Sequence, residues 1–189
     1  MIAGVDEVGR GPLAGPVVTA AVILPESYNL PGLTDSKKLT PNKRQKLNLE
    51  IKDQAICWAL GAANLQEIDQ LNILHATMLA MQRAVDKLNV KPSKVLIDGN
   101  RVPDLSIPCE AVIGGDAIHD CISAASIIAK VNRDQLMQKY ALEYPQYGWQ
   151  TNSGYPTRQH LDALVKYGIT PYHRRSFAPV AKLIENHEQ

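Results

Sequence analysis

Two kinds of hydrophobic pattern alternate along the chain and predict a sheet with helices packed on it. Short apolar runs bounded by Gly, Pro or Asp predict strands at residues 2–5, 17–24, 55–63, 95–97 and 111–113. Apolar residues that recur every three or four positions predict amphipathic helices over residues 68–88 and 122–140. Three early strands followed by alternating strands and helices favour a mixed α/β sheet.

Further helices are predicted nearer the two ends of the chain. Pro41 occupies a helix-start position for residues 41–53, and two short helices are expected over residues 157–167 and 179–186. No repeat, low-complexity tract or Gly/Ser linker marks an internal boundary. Because 189 residues bury one substantial core but are few for two, we expect a single domain over residues 1–189.

Composition excludes several classes of protein. With 45% hydrophobic and 21% charged residues, the chain is typical of globular domains and not of disordered ones. Its longest uncharged stretch, residues 11–25, is too short for a membrane-spanning helix and contains three prolines. The acidic start lacks the features of a signal peptide, so we expect a cytoplasmic protein without a membrane partner. Three widely spaced cysteines predict reduced packing residues and no zinc or redox motif.

Four acidic residues follow predicted strands and suggest a metal site. Asp6 and Glu7 end the first strand, Asp98 ends another, and Asp116 follows a third. Strand ends of an open α/β sheet lie together, and carboxylates gathered there would repel one another unless a hard divalent cation joined them. Magnesium or manganese fits an all-oxygen set better than zinc does. Adjacent strand residues point to opposite faces, so Asp6 and Glu7 share a site only if the strand twists or bulges.

Several collinear motifs then resemble those of the ribonuclease HII family. The most specific is AGVDEVGRGPLAGPVV at residues 3–18. Further matches are DSKKL at 35–39, EIDQLNI at 67–73, LIDGN at 96–100, ISAASIIAKV at 122–131, GYPT at 154–157 and HRRSF at 173–177. The resemblance therefore covers essentially the whole chain.

The resemblance implies an RNase H-like fold, with a mixed β-sheet flanked by helices and a C-terminal helical segment. It implies an endonuclease that hydrolyses the RNA strand of RNA–DNA hybrids and incises at single ribonucleotides embedded in duplex DNA, leaving 5′-phosphate and 3′-hydroxyl ends. Two Mn²⁺ or Mg²⁺ ions would promote the reaction. We expect a monomer whose partners are RNA–DNA hybrid and ribonucleotide-containing duplex DNA. The residues that would hold the ions, by motif, are Asp6, Glu7, Asp98 and Asp116.

The resemblance also implies the substrate contacts. Backbone groups of Gly9, Arg10 and Gly11 would bind the 2′-hydroxyl that distinguishes RNA from DNA. The ring of Tyr155 would pack on the sugar at the DNA side of the junction. Charge alone favours solvated faces for the basic segments at residues 35–46 and 157–177 in this chain of net charge +1. The resemblance instead implies that Lys37, Lys38, Arg174 and Arg175 contact phosphates. His173 is a further candidate for a phosphate contact, and His160 for packing.

One position departs from the family pattern, and one acid competes for a role. Gly115 stands where the family usually has a lysine, which removes a possible cationic neighbour of Asp116. Asp134 is the rival for the fourth acid, but it lies well inside a predicted helix, where it could pair with Arg133 or another basic residue.

The sequence bears on three alternative functions. A ribonuclease HIII would share the fold and hybrid cleavage, but residues 9–11 and the lack of an additional N-terminal domain favour ribonuclease HII. A catalytically silent module that binds hybrids or RNA would be expected to lose at least one of the four acids, and all are present. A nucleotide-binding α/β protein is excluded by the absence of its glycine-rich phosphate-binding motifs.

Overall fold

A five-stranded mixed sheet forms the centre of the computed structural model, which describes residues 1–187. Its strands are β1 (Ile2–Val8), β2 (Val17–Ile23), β3 (Cys57–Ala63), β4 (Lys94–Asp98) and β5 (Cys109–Val112). Their order is β3-β2-β1-β4-β5, with β1–β2 and β2–β3 antiparallel, and β1–β4 and β4–β5 parallel. The predicted mixed α/β sheet is confirmed. β1 is three residues longer than predicted, because its pairing with β2 continues to Val8.

The predicted helices are present, with ends that differ by a few residues. They are α1 (Pro41–Gln54), α2 (Leu65–Asp86), α3 (Asp120–Glu143), α5 (Arg158–Tyr167) and α6 (Ala178–His187), with the four-residue α4 (Trp149–Asn152) as an addition. Short 3-10 turns span Ser36–Lys38, Gly115–Ala117 and Pro145–Tyr147. α2 bends at Asn72, whose φ is 65° and whose side chain accepts hydrogen bonds from the amides of Leu74 and His75.

The side chains of each strand alternate between two hydrophobic layers. On one face, Val5 and Ile97 pack with Met81 of α2. The opposite face packs against α1 and α3, as Val22 and Ile127 do. This alternation also determines which face the polar side chains at the strand ends point to, because residues two positions apart in a strand lie on the same face.

A separate cluster joins the C-terminal helices to the segment between β1 and β2. The buried Tyr147 and Trp149 belong to this cluster together with Leu13 and with Leu164 of α5. The main chain reinforces this junction, because the amide of Leu13 donates to Gly154 and the amide of Arg174 donates to Leu13. The segment that follows β1 is thus fixed between the sheet and the C-terminal helices.

The helices and the cysteines bear on two of the expectations drawn from composition. Within residues 1–187, no helix combines the length and the apolar character needed to cross a membrane. Cys57, Cys109 and Cys121 are all free thiols that are buried or partly buried, as expected of reduced packing residues.

Candidate active site

Three carboxylates meet at the end of the parallel strands. Val5 of β1 is paired with Ile97 of β4, so the next residues, Asp6 and Asp98, lie side by side on the α3 face. Asp116 reaches the same place from the turn Gly115–Ala117 after β5. One oxygen from each of these three carboxylates lies within 4.8 Å of the others. We call Asp6, Asp98 and Asp116 the acidic cluster.

Burial makes the ionised form of this cluster costly. Asp6 is 5% exposed, and burial together with Glu7 and Asp98 raises its pKa well above the usual value, although the amide of Glu7 donates to it at 2.7 Å. Burial and then Asp98 raise the pKa of Asp116. Oxygen ligands that crowd together in this way fit a hard divalent cation such as Mg²⁺ or Mn²⁺. Since the cluster contains no nitrogen or sulfur ligand, it does not fit a zinc site.

Glu7 points to the other face of the sheet. β1 pairs residue by residue with β2 from Gly4 to Val8, so no bulge turns Glu7 toward Asp6. Glu7 lines a cavity of about 280 Å³ that also touches Asp98 and Arg10. Burial raises its pKa, and Arg10, 3.5 Å away, opposes that shift. Glu7 is therefore beside the acidic cluster but not part of it, and its role as a metal ligand stays a prediction.

The glycine at position 115 contributes to the geometry of the cluster. Its amide donates to Oδ1 of Asp98 at 2.7 Å, and an added Cβ would lie 2.6 Å from Cδ1 of Ile122. A cationic neighbour of Asp116 is nevertheless present, because Nζ of Lys37 lies 3.9 Å from Oδ2 of Asp116. Partial burial lowers the pKa of Lys37, but the surrounding carboxylates outweigh that effect and raise it. Asp116 thus has a cationic neighbour, Lys37, although residue 115 is glycine.

The segment at residues 9–11, which we call the glycine turn, lies directly beside Tyr155. An ideal Cβ on Gly11 would be 3.4 Å from Cε1 of Tyr155, an ordinary contact distance. Tyr155 is 41% exposed, and Arg10 and Gly11 are also exposed. The structure therefore places together the two elements predicted to contact the sugar, both open to solvent.

Two of the predicted phosphate contacts are wrong. Arg174 is 0% exposed and donates three hydrogen bonds to backbone carbonyls, so its guanidinium cannot reach a phosphate. His173 is 2% exposed and is hydrogen-bonded within the protein. Lys37, Lys38 and Arg175 are exposed, as a phosphate contact requires.

The competing acid Asp134 lies away from the acidic cluster. It accepts a hydrogen bond from Lys130 at 2.7 Å and pairs with Arg44 at 3.5 Å. It also accepts a hydrogen bond from the hydroxyl of Ser153. Arg133 does not pair with it, because its guanidinium donates to backbone carbonyls such as that of Pro16. The structure thus brings Asp116, and not Asp134, to Asp6 and Asp98.

The sequence analysis missed a buried polar layer beneath the glycine turn. It consists of Arg133 and Arg174 together with a histidine pair, His160 and His173, all of them 2% exposed or less. No signal in the sequence indicated this layer, because Arg133 stands between Asn132 and Asp134 and has the local pattern of a solvated helix face.

Comparison with known proteins identifies the family. The family model described as Ribonuclease HII matches residues 3–180. A ribonuclease HII from Polaromonas is 60% identical over 184 residues, which cover 97% of this chain and 92% of that protein. The crystal structure of ribonuclease H2 from Pyrococcus horikoshii superposes with a TM-score of 0.82 at 30% identity, covering 100% and 99% of the two chains.

Ribonuclease HIII shares the fold at lower similarity. The structure of Bst-RNase HIII in complex with Mn²⁺ gives a TM-score of 0.73 at 18% identity, covering 98% of this chain and 69% of that one. An identity this low indicates the common fold alone, and the RNase H-like architecture expected from the motifs is confirmed. The family match over residues 3–180 and the 60% identity to a curated ribonuclease HII distinguish this chain from ribonuclease HIII: the chain belongs to the ribonuclease HII family.

Proposed function

We propose that this protein is an endonuclease that hydrolyses the RNA strand of RNA–DNA hybrids and incises at single ribonucleotides in duplex DNA, leaving 5′-phosphate and 3′-hydroxyl ends. The observation that carries the proposal is the acidic cluster, three carboxylates with oxygens within 4.8 Å, in a chain of the ribonuclease HII family. The adjoining glycine turn and Tyr155 supply the elements that would distinguish ribose from deoxyribose.

Asp6, Asp98 and Asp116 would hold Mn²⁺ or Mg²⁺, with Glu7 as a further ligand from the neighbouring face. The Mn²⁺ bound by Bst-RNase HIII, which shares the fold, supports this choice of ions. When bound, a pair of such ions supplies an activated water and stabilises charge on the departing 3′ oxygen. The carboxylates need no altered basicity for this role, because they would only hold the ions in position and balance their charge.

The remaining residues position the substrate. Amide groups of the glycine turn would donate to the 2′-hydroxyl oxygen, and the Tyr155 ring would pack on the neighbouring deoxyribose. Lys37 lies next to Asp116 and would contact the phosphate nearest the cluster, while Lys38 and Arg175 would contact phosphates farther along the duplex. These charges set affinity and register but carry no sequence preference.

The test compares three duplexes of one sequence: all-DNA, DNA with a single ribonucleotide, and an RNA–DNA hybrid. We expect cleavage of the last two with Mn²⁺ or Mg²⁺, and none in excess EDTA. Asp6→Asn and Asp98→Asn should each lower the rate by at least ~100-fold, because transition-state charge loses its stabilisation. Asp86→Asn, at the exposed end of α2, is the matched control and should retain the wild-type rate.

The outcomes also separate the alternatives. Tight binding of the hybrid without cleavage under either metal would indicate a silent binding module. Cleavage of the hybrid with little incision at the single ribonucleotide would indicate the substrate preference of ribonuclease HIII. Full activity in excess EDTA would contradict the assignment of the acidic cluster as a metal site.

A further inference from the structure

Two arginines lie fully buried beneath the glycine turn. Arg133 of α3 and Arg174, which precedes α6, are both 0% exposed. Within residues 1–187 neither forms an ion pair with a carboxylate. Burying a cation without an anionic partner is costly, and an apolar side chain of similar volume would pack at lower cost. Their presence therefore calls for a role other than general stability.

Arg174 binds the glycine turn itself. Its Nη2 donates to the carbonyl of Gly9 at 2.5 Å and its Nη1 donates to the carbonyl of Arg10 at 2.9 Å. Its Nε donates to the carbonyl of Gly15 at 2.9 Å. The single planar fork of one guanidinium thus fixes two successive carbonyls of the turn and a third at the far end of the loop.

Arg133 holds the other side of the same loop. It donates to the carbonyls of Ala14, Pro16 and Ser153 at 2.8–3.0 Å. Its Nε occupies the space beside Gly9, where an added Cβ would lie 2.2 Å away. Gly9 also has φ of +96°, so both the backbone conformation and this close approach require glycine.

The direction of the two carbonyls determines the direction of two amides. The carbonyl of Gly9 and the N–H of Arg10 belong to one peptide plane, as do the carbonyl of Arg10 and the N–H of Gly11. No peptide bond in the described chain is cis, so each N–H points away from its carbonyl. Since both carbonyls face the buried Arg174, both amides face away from it, on the exposed side of the turn. Neither amide donates to a protein acceptor within the described residues.

We propose that Arg174 is a positioning residue for ribose recognition: it turns the Gly9–Arg10 and Arg10–Gly11 peptide planes so that two N–H groups are presented outward before substrate arrives. The inference rests on the proposed function, because the 2′-hydroxyl oxygen is the acceptor that these donors would meet. Preorganised donors avoid the entropic cost of ordering a glycine-rich segment upon binding.

The chemistry of arginine suits this role better than that of lysine. An ammonium is a point charge and cannot hold two neighbouring carbonyls in a fixed plane. Burial lowers the pKa of Arg174 to about 9 and that of Arg133 to about 10, and Arg133 contributes to the shift of Arg174. Both values lie above neutrality, so both guanidinium groups remain charged and act as full donors at pH 7.

The first experiment measures affinity for two duplexes in Ca²⁺, one with a single ribonucleotide and one all-DNA. In Arg174→Lys and Arg174→Gln we expect the ratio of the two affinities to fall about tenfold, the effect of losing roughly one well-aligned hydrogen bond to the ligand. This ratio does not depend on the folded fraction, because a partly unfolded sample binds both duplexes proportionally less. Tyr147→Phe removes a partly buried hydrogen bond to the carbonyl of Gly168, away from the glycine turn, and should leave the ratio unchanged.

The second experiment needs no substrate. Backbone ¹⁵N relaxation of the free wild-type protein should give order parameters near ~0.85 for the amides of Arg10 and Gly11, and values below ~0.6 in Arg174→Gln. Flexible amides in the wild type, or an unchanged affinity ratio in Arg174→Gln together with rigid amides, would overturn the role of Arg174. A wild-type protein with rigid amides that does not prefer the ribonucleotide duplex would refute the proposed function and leave the orienting role supported.

Discussion

Acid should destabilise this protein through a buried pair of histidines. Nδ1 of His160 lies 2.9 Å from the carbonyl of Tyr155, so this nitrogen carries the proton. Nε2 of His160 then accepts from the indole N–H of Trp149 and from Nε2 of His173. Nδ1 of His173 accepts from the amide of Thr170. Every ring nitrogen has a fixed role that requires both imidazoles to be neutral.

The magnitude follows from the pKa of His173, which burial and then His160 lower to about 3. In the unfolded chain a histidine titrates near ~6.5. Above that pH both states are neutral and the full stability is present. As pH falls from ~6.5 toward about 3, only the unfolded state takes up the proton, so stability is lost by up to about 1.4 kcal/mol per pH unit. For His173 alone the loss between pH 7 and pH 5 is about 2 kcal/mol.

The assay is urea unfolding at pH 7, 6 and 5 in EDTA, with the wild type beside His173→Asn. The variant keeps an oxygen near the position of Nδ1 but cannot be protonated. Acidic residues titrate in both proteins and cancel in the comparison, so the wild type should lose about 2 kcal/mol more than the variant between pH 7 and 5. His75→Asn, at an exposed position, is the matched control. Parallel stability curves for the wild type and His173→Asn would refute the reasoning.

Four other substitutions test the site. Asp116→Asn should lower turnover by at least ~100-fold and raise the melting temperature in EDTA, because repulsion within the acidic cluster falls. Asp134→Asn should instead lower the melting temperature through the lost pair with Lys130 and affect turnover less; a larger turnover loss than in Asp116→Asn would contradict the assignment. Arg175→Gln should flatten the slope of log affinity against log salt by about one without moving the cut site, and an unchanged slope would exclude a phosphate contact. Tyr155→Ala should reduce the preference for a single ribonucleotide in DNA over the hybrid, which a wild-type ratio of the two cleavage rates would disprove.

Alternation along the strands was the most informative part of the sequence. The period of two predicted that Asp6 and Glu7 would point to opposite faces unless the strand bulged, and β1 has no bulge there. The pattern does not give the register in which one strand pairs with the next. Asp6 lies beside Asp98 because Val5 pairs with Ile97, and that pairing depends on the packing of strands about 90 residues apart in sequence.

Position 115 shows a similar limit. The sequence indicated that a cationic neighbour of Asp116 was missing, and residue 115 itself is indeed glycine. A charge can come from any segment that the fold brings within reach, and here Lys37 lies 3.9 Å from the carboxylate although it is distant in sequence. The lack of a lysine at one motif position therefore does not determine the electrostatic potential at Asp116, which depends on every charge that the fold brings near it.

Arg174 and Arg175 show most clearly what only the tertiary structure can reveal. They are adjacent residues of the same type, yet Arg174 is fully buried beneath the glycine turn and Arg175 is exposed. A basic segment read from sequence counts both as candidates for phosphate contact, whereas only the exposed residue can release a counterion from DNA. Because Arg133 and Arg174 are both buried, fewer cations face a nucleic acid than the composition suggests, and the salt dependence of binding should be correspondingly shallow. Some of the arginines in this chain bind its own backbone, so the charge available to a nucleic acid is given by the exposed residues of the folded protein and not by the sequence total.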